Sequence, residues 1–315
     1  MKQDKTGQGK TKMVKEELFG QLRGRCPVGQ LSLDEDVYEY GDELRVELLK
    51  IKEYNAYYMK SVLKSIIDKE YIDLEWIYEE YMKVLNVGIP SGGDYDYIIE
   101  YRLSDDVTMK MWERPKLISS LSTTGFRTWE AALYLCVYFD GMNLSANGNT
   151  YLELGAGTGL VSMYLYKQLE GRCKVYITDG DSNLLDGSLL KNLQLNEIDE
   201  RQVVRQRLIW NEDKNIPLDV DTLIGADITY DSTYFVELSQ CIYDFLTVGG
   251  SRCKEMIISC TVRSEDTTAS FERSIVDVGL RIELISDNDL KIVERVESML
   301  YKKLIAPIRI YRIVA

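Results

Sequence analysis

From residue 150 onward, short apolar runs alternate with segments whose apolar positions recur every three or four residues. One run begins at Tyr151 and ends at Glu153; behind it Leu160, Val161, Tyr164 and Leu165 fall at helical spacing. Val175-Tyr176-Ile177-Thr178 forms a second run ending at Asp179, followed by Leu185, Leu189, Leu190 and Leu193 on one helical face, with Asp181 or Ser182 as its cap. Val203 to Trp210 predicts a third strand with Trp210 at its carboxyl end, and Thr222 to Ala226 a fourth, running into Asp227-Ile228-Thr229-Tyr230. Met256 to Ser259 predicts a buried strand and Phe271 to Val278 part of a helix. Arg281 to Ile285 and Ile308 to Val314 alternate as a paired edge hairpin would. Strand–helix alternation of this kind implies an α/β, doubly wound sheet.

The first 120 residues have a different period. Leu44, Leu48, Ile51, Tyr58, Val62 and Ile66 follow helical spacing, as do Leu74, Ile77, Tyr78, Tyr81 and Leu85 after a candidate cap at Asp73. Pro90-Ser91-Gly92-Gly93 breaks the pattern. Tyr95, Tyr97, Ile99, Tyr101 and Leu103, then Val107, Met109 and Met111, alternate across Ser104-Asp105-Asp106, which predicts a hairpin. The expected organisation is a disordered polar tail at 1–12, a helical region at 13–90, a hairpin and linker at 91–120, and an α/β domain at 121–315.

The candidate chemistry lies at the ends of the predicted strands. Gly155, Gly157 and Gly159 follow Glu153, giving a strand, a glycine turn and a helix. Glycine allows close backbone approach, and the helix N-terminus presents free N–H groups. The third glycine comes one residue too early for the dinucleotide fingerprint, and no triphosphate-binding loop is present. Asp179 lies 20 residues after Gly159, the interval at which a strand-end acid reaches a ribose hydroxyl. Asp227 would sit at the mouth of the sheet, with Tyr230 three residues on. Taken singly, Asp179 and Asp227 read as helix caps, and Trp210 and Tyr230 as packing aromatics; their common placement at strand ends argues for a site.

The Glu153-x-Gly-x-Gly-x-Gly turn resembles motif I of class I S-adenosylmethionine-dependent methyltransferases. With Thr123-Thr124-Gly125-Phe126-Arg127-Thr128-Trp129 upstream and Ala226-Asp227-Ile228-Thr229-Tyr230 downstream, the chain resembles the seven-β-strand protein-lysine methyltransferases of the methyltransferase-like 21 group. That resemblance implies a Rossmann-like seven-stranded sheet with a mainly helical N-terminal extension. It implies S-adenosylmethionine held by Trp129, Glu153, Gly155, Ala156, Gly157, Asp179, Trp210 and Ala226. Asp227 would hold and orient the lysine ammonium, and Tyr230 would shape its channel. The helical extension is similar to that of the elongation factor 2 lysine methyltransferases (the FAM86 family), which makes elongation factor 2 the expected protein substrate. Another protein, such as an Hsp70-type chaperone, is the alternative; a non-catalytic cofactor-binding module is a third reading.

Composition narrows the field. The 315 residues contain no histidine, which excludes Ser–His–Asp catalysis and histidine-containing zinc sites; no metal is expected. Six cysteines without a C-x-x-C pair read as free thiols of a cytoplasmic protein. No apolar run is long enough to cross a membrane, and Met1 to Lys12 has no signal-peptide core. A net charge of −13 argues against direct nucleic-acid binding and for a basic protein surface as partner. A monomer is expected.

Overall fold

The computed structural model describes residues 5–33, 35–69, 74–88, 97–114, 124–142, 144, 149–213 and 217–315, with backbone alone for 5–11, 35 and 36. The chain divides into two compact units, residues 1–100 with 114–116, and residues 101–113 with 117–315.

The first unit is helical. Helices α1 (Lys5–Arg23), α2 (Gly41–Ile67) and α3 (Glu75–Val84) bury Leu18 and Leu22, then Leu44, Leu48, Ile51, Val62 and Ile66, then Ile77. These are largely the positions picked out by helical spacing. Tyr58 is only half-buried; its hydroxyl donates to the Cys26 carbonyl at 2.7 Å. Two acids inside this unit are neutralised by arginine. Arg23 forks onto Glu47 at 2.8 and 3.0 Å, and Arg45 reaches Glu80 at 2.8 Å. Burial pushes both carboxyls up, but the bonds from their basic partners, Arg23 on Glu47 and Lys83 with Arg45 on Glu80, leave them net lowered. Two features differ from the sequence reading. Residues 5–12, expected in a disordered tail, form the start of α1. Its later turns are anchored by Leu18 and Leu22, and extending an anchored helix gains one bond per residue fixed. Asn55 breaks the helical dihedrals of α2 (φ −150°, ψ 69°), and its side chain accepts the Tyr58 N–H at 2.9 Å. The candidate cap Asp73, the Pro90–Gly93 break and Tyr95 lie outside the described residues.

Strands β1 (Tyr97–Arg102) and β2 (Thr108–Glu113) pair as the alternation predicted. The boundary between units falls inside this hairpin rather than after it. Asn192 accepts the Trp112 N–H at 2.7 Å and Asn196 accepts that of Lys110 at 2.9 Å, which fastens β2 to the α/β unit.

That second unit holds, among the described residues, a seven-stranded sheet: β3 (Thr150–Leu154), β4 (Lys174–Asp179), β5 (Val204–Arg207), β6 (Thr222–Ala226), β7 (Glu255–Thr261), β8 (Arg281–Asp287) and β9 (Ile308–Val314). The spatial order is β5-β4-β3-β6-β7-β9-β8, parallel except for β9, which runs antiparallel to β7 and β8. Helices α4 (Glu130–Asp140), α5 (Leu160–Gln168), α6 (Leu189–Leu195), α7 (Phe235–Thr247), α8 (Glu265–Asp277) and α9 (Leu290–Leu300) complete the layers. β3 is buried along its whole length, as a central parallel strand must be. Strand order reverses between the parallel neighbours β3 and β6, with β4 and β5 on one side and β7 on the other, so the ligand crevice belongs at their carboxyl ends.

The third strand is shorter than its apolar run. β5 stops at Arg207, after which the Asp213 carboxylate accepts the Ile209 N–H at 2.6 Å and Asn211 turns left-handed (φ 60°). Trp210 therefore sits in a turn beyond the strand. The last two strands pair, but only β8 is at the edge; β9 lies inside the sheet, and α9 joins the two. All six cysteines are buried. No helix of the described residues is long and apolar enough to cross a membrane, and none of their acid and cysteine clusters suits a metal ion.

Candidate active site

Pairing in register sets the site. Glu153 of β3 lies opposite Ile177 of β4 and Ile224 of β6, so Glu153, Asp179 and Asp227 all emerge at one end of the sheet. There a cleft of about 700 Å³ opens, within the range of small-molecule sites. Trp129, Glu153, Gly155, Ala156, Gly157, Asp179, Trp210, Ala226, Asp227 and Tyr230 all line it. The structure thus brings together the expected cofactor-binding residues with Asp227 and Tyr230, while Gly159 of the turn lies outside the lining.

The glycine turn is a tight cradle. Gly155 and Gly157 have φ of 61° and 53°. A Cβ on Gly155 would come within 2.7 Å of Ile228, and one on Gly157 within 3.2 Å of the Gly125 backbone. The turn is pinned by the Ala156 N–H on the Thr178 carbonyl at 2.9 Å. Asp179, partly buried, accepts the N–H of Gly157 at 2.9 Å and that of Asp181 at 3.0 Å. Burial raises its pKa. Glu153 is buried, accepts the Ser162 N–H in the first turn of α5 at 3.0 Å, and is pushed by desolvation up to about 7. A helix N-terminus, two acids at strand ends and a turn with room for no side chain fit a cofactor with amino-acid and ribose ends.

The turn is braced from behind. Thr128 meets Thr158 hydroxyl to hydroxyl at 3.0 Å, and Thr128 also bonds the Glu113 carboxylate of β2, which accepts Tyr101 at 3.1 Å. Glu113 is buried and, through desolvation, raised to about 7. Trp129 donates its indole N–H to the Thr124 carbonyl at 3.1 Å. Two guanidinium groups lie over its ring, Arg127 at 4.3 Å and Arg263 at 5.4 Å from the centroid, a cation–π arrangement.

Asp227 is held harder than the sequence suggested. Its φ of 57° is unusual outside glycine, though aspartate is among the residues that tolerate it. Its N–H donates to the Ser259 carbonyl at 2.8 Å. Its carboxylate accepts both Arg263 amino groups, at 3.0 and 2.6 Å, and the Thr261 N–H at 3.3 Å. Burial acts to lower the Arg263 pKa, but the Asp227 bond and charge outweigh it and the net shift is upward. Asp227 is 5 % exposed, whereas Tyr230 is 51 % exposed at the rim.

Sequence reading missed Arg263, Glu113 and Glu237. Arg263 follows the end of β7 by two residues, so carrying the strand-end rule one strand further would have flagged it. Glu237 lines the cleft from the first turn of α7, where an acid looks like ordinary helix-dipole compensation.

Comparison with known proteins agrees with this geometry. Residues 104–275 match the lysine methyltransferase family model. The protein-lysine N-methyltransferase EFM3 of Saccharomyces cerevisiae is 35% identical over 95% of this chain and 99% of its own length. EEF1A lysine methyltransferase 3 of Xenopus tropicalis is 32% identical over 51% of this chain and 68% of its own. The human protein-lysine N-methyltransferase EEF2KMT is 27% identical over 56% and 57%. The chain belongs to the lysine methyltransferase family and is a protein-lysine N-methyltransferase that uses S-adenosylmethionine.

Proposed function

We propose that the chain methylates a lysine of translation elongation factor 2. The observation that carries this reading is the helical amino-terminal unit. In that unit the chain resembles the elongation factor 2 lysine methyltransferases, and the match to EFM3, over 95% of the chain, extends into it, while the relatives named for elongation factors 1A and 2 each match about half of the chain. An added helical unit beside a complete α/β fold suits recognition of a large folded substrate.

In this reading the glycine turn and the first N–H groups of α5 hold the cofactor, with Glu153 at its amino-acid end and Asp179 at its ribose. Trp129, Trp210 and Ala226 form the remaining walls. When bound, S-adenosylmethionine supplies a methyl group on a sulfonium, open to in-line attack. The protein mainly positions the reactants. A lysine ammonium has an ordinary pKa of about 10.4 and must lose a proton to attack. Asp227, fixed by Arg263, faces the ammonium at the mouth, and Tyr230 shapes the channel that desolvates it.

The test is purified elongation factor 2 from cells lacking this protein, incubated with labelled cofactor and enzyme. Label on one lysine of elongation factor 2 is expected. Label on elongation factor 1A or an Hsp70-type chaperone instead would overturn the substrate assignment.

A further inference from the structure

Asp227 presents a difficulty as sole acceptor for a lysine ammonium. Each of its carboxylate oxygens already accepts from Arg263, and that guanidinium cancels most of its charge. A second positive charge arriving there meets repulsion from Arg263 as well as attraction from Asp227. The cleft contains another acid that no cation among the described residues neutralises. Glu237 lines the same cleft as Asp227, Tyr230 and Tyr234, and its Oε2 is buried without a hydrogen-bond partner among the described residues.

The position of Glu237 follows from α7. Phe235 and Leu238 are buried and anchor the first turn, while Val236 is 70 % exposed. Glu237 falls between these faces, against the cleft. Helix-dipole compensation does not account for it. That role is filled by exposed carboxylates in water, and an unpaired buried carboxylate oxygen costs free energy that a dipole end offsets only in part. The turn ahead of the helix already has its own cap, Asp231, which accepts the Thr233 N–H at 3.0 Å.

We infer that Glu237 is a substrate-binding residue: with Asp227 it holds the ammonium of the incoming lysine between two carboxylates, Glu237 providing the charge that Arg263 neutralises at Asp227. The inference rests on the lysine-transfer reading of this cleft, not on which protein carries the lysine. Glu237 fixes the nitrogen before transfer. The ammonium proton passes to solvent water, the freed nitrogen lone pair forms the new N–C bond, and the breaking C–S pair stays on sulfur.

The variant is Glu237→Gln, which keeps the shape and removes the charge. Two readouts are used. The first is kcat/KM for elongation factor 2, expected to fall at least about tenfold, mainly through KM near neutral pH, with the thermal midpoint equal to or above that of wild type and S-adenosylhomocysteine affinity unchanged. The second needs no protein substrate. Sinefungin carries an ammonium-bearing carbon in place of the sulfonium centre, so its affinity relative to S-adenosylhomocysteine reports negative charge at the transfer position. That ratio is expected to drop about fivefold or more in Glu237→Gln. If the wild type labels elongation factor 2, kcat/KM within twofold of wild type overturns the inference. If it does not, the substrate reading has failed separately, and an unchanged sinefungin ratio overturns the role of Glu237.

Discussion

On the glycine-turn side of the cleft, Asp179 accepts two backbone N–H groups, Glu153 accepts one, and Thr128 links Thr158 to the buried Glu113. On the far side, Tyr230, Tyr234 and Val236 are more than half exposed, and the Glu237 Oε2 has no partner among the described residues. The first half is organised before any ligand arrives. The second leaves apolar surface exposed and one buried carboxylate oxygen unmatched among the described residues. A small cofactor shared by many enzymes rewards a rigid, preformed seat, whereas a folded partner can complete an open one.

The largest effect should come from filling the rigid half. Gly157→Arg forces a side chain into a left-handed turn packed on Gly125, so cofactor affinity should fall by more than about 100-fold in calorimetry. Near-normal binding would mean that the turn gives way, and the contrast between the halves would break.

Asp227→Ala should lower kcat about 100-fold while cofactor affinity stays within about threefold. The variant also leaves Arg263 without its partner, so Arg263→Gln and the double variant are needed. Non-additive losses in that cycle would show the pair acting as one unit. Equal losses of cofactor affinity and kcat would place Asp227 in the cofactor half instead.

A third effect is on stability. Glu113 titrates near 7 when folded and near 4.5 when unfolded. A raised acid binds its proton more tightly in the fold, so its stabilisation is complete below about pH 4.5 and is lost as pH rises through 7. Urea unfolding between pH 5 and 8 should show wild type losing up to about 3 kcal/mol more than Glu113→Gln. Parallel curves would mean that Glu113 is charged in place.

Asp179→Asn should have the smallest effect, about tenfold in cofactor affinity, because asparagine keeps an acceptor for the Gly157 N–H but loses the stronger charge-assisted bonds to ribose hydroxyls. No change would remove Asp179 from the ribose end.

Much of this site could be read from order along the chain, because a parallel sheet collects its strand ends in one place. Glu153, Asp179 and Asp227 needed only the alternation of period to be located. Trp210 was placed correctly at the cleft although its strand ends earlier than expected, since an apolar run does not show where Asp213 will take over a backbone N–H. The Asn55 kink carries no periodic signal, as the apolar stripe continues through it. Arg263 and Glu237 were hidden for a different reason. A surface arginine and a first-turn glutamate are commonplace, and only three-dimensional packing reveals what each faces. The same limit applied to residues 5–12, whose polar composition resembles a tail until the anchored helix behind them is considered.

The interior position of β9 bears on how the molecule is made. Residues 308–314 come after β7 and β8 in the sequence, yet they fill the gap between them, bonding from Thr261↔Ile308 to Met256↔Ile313 on one side and from Arg281↔Val314 on the other. During synthesis, β7 and β8 have each emerged before the strand that joins them. Until it arrives, each offers an unsatisfied backbone edge, the kind of surface on which nascent chains associate. The β7 end beside the Asp227–Arg263 pair is thus sealed only after residues 308–314 have been made, and losing these seven residues would open the middle of the sheet rather than trim its border.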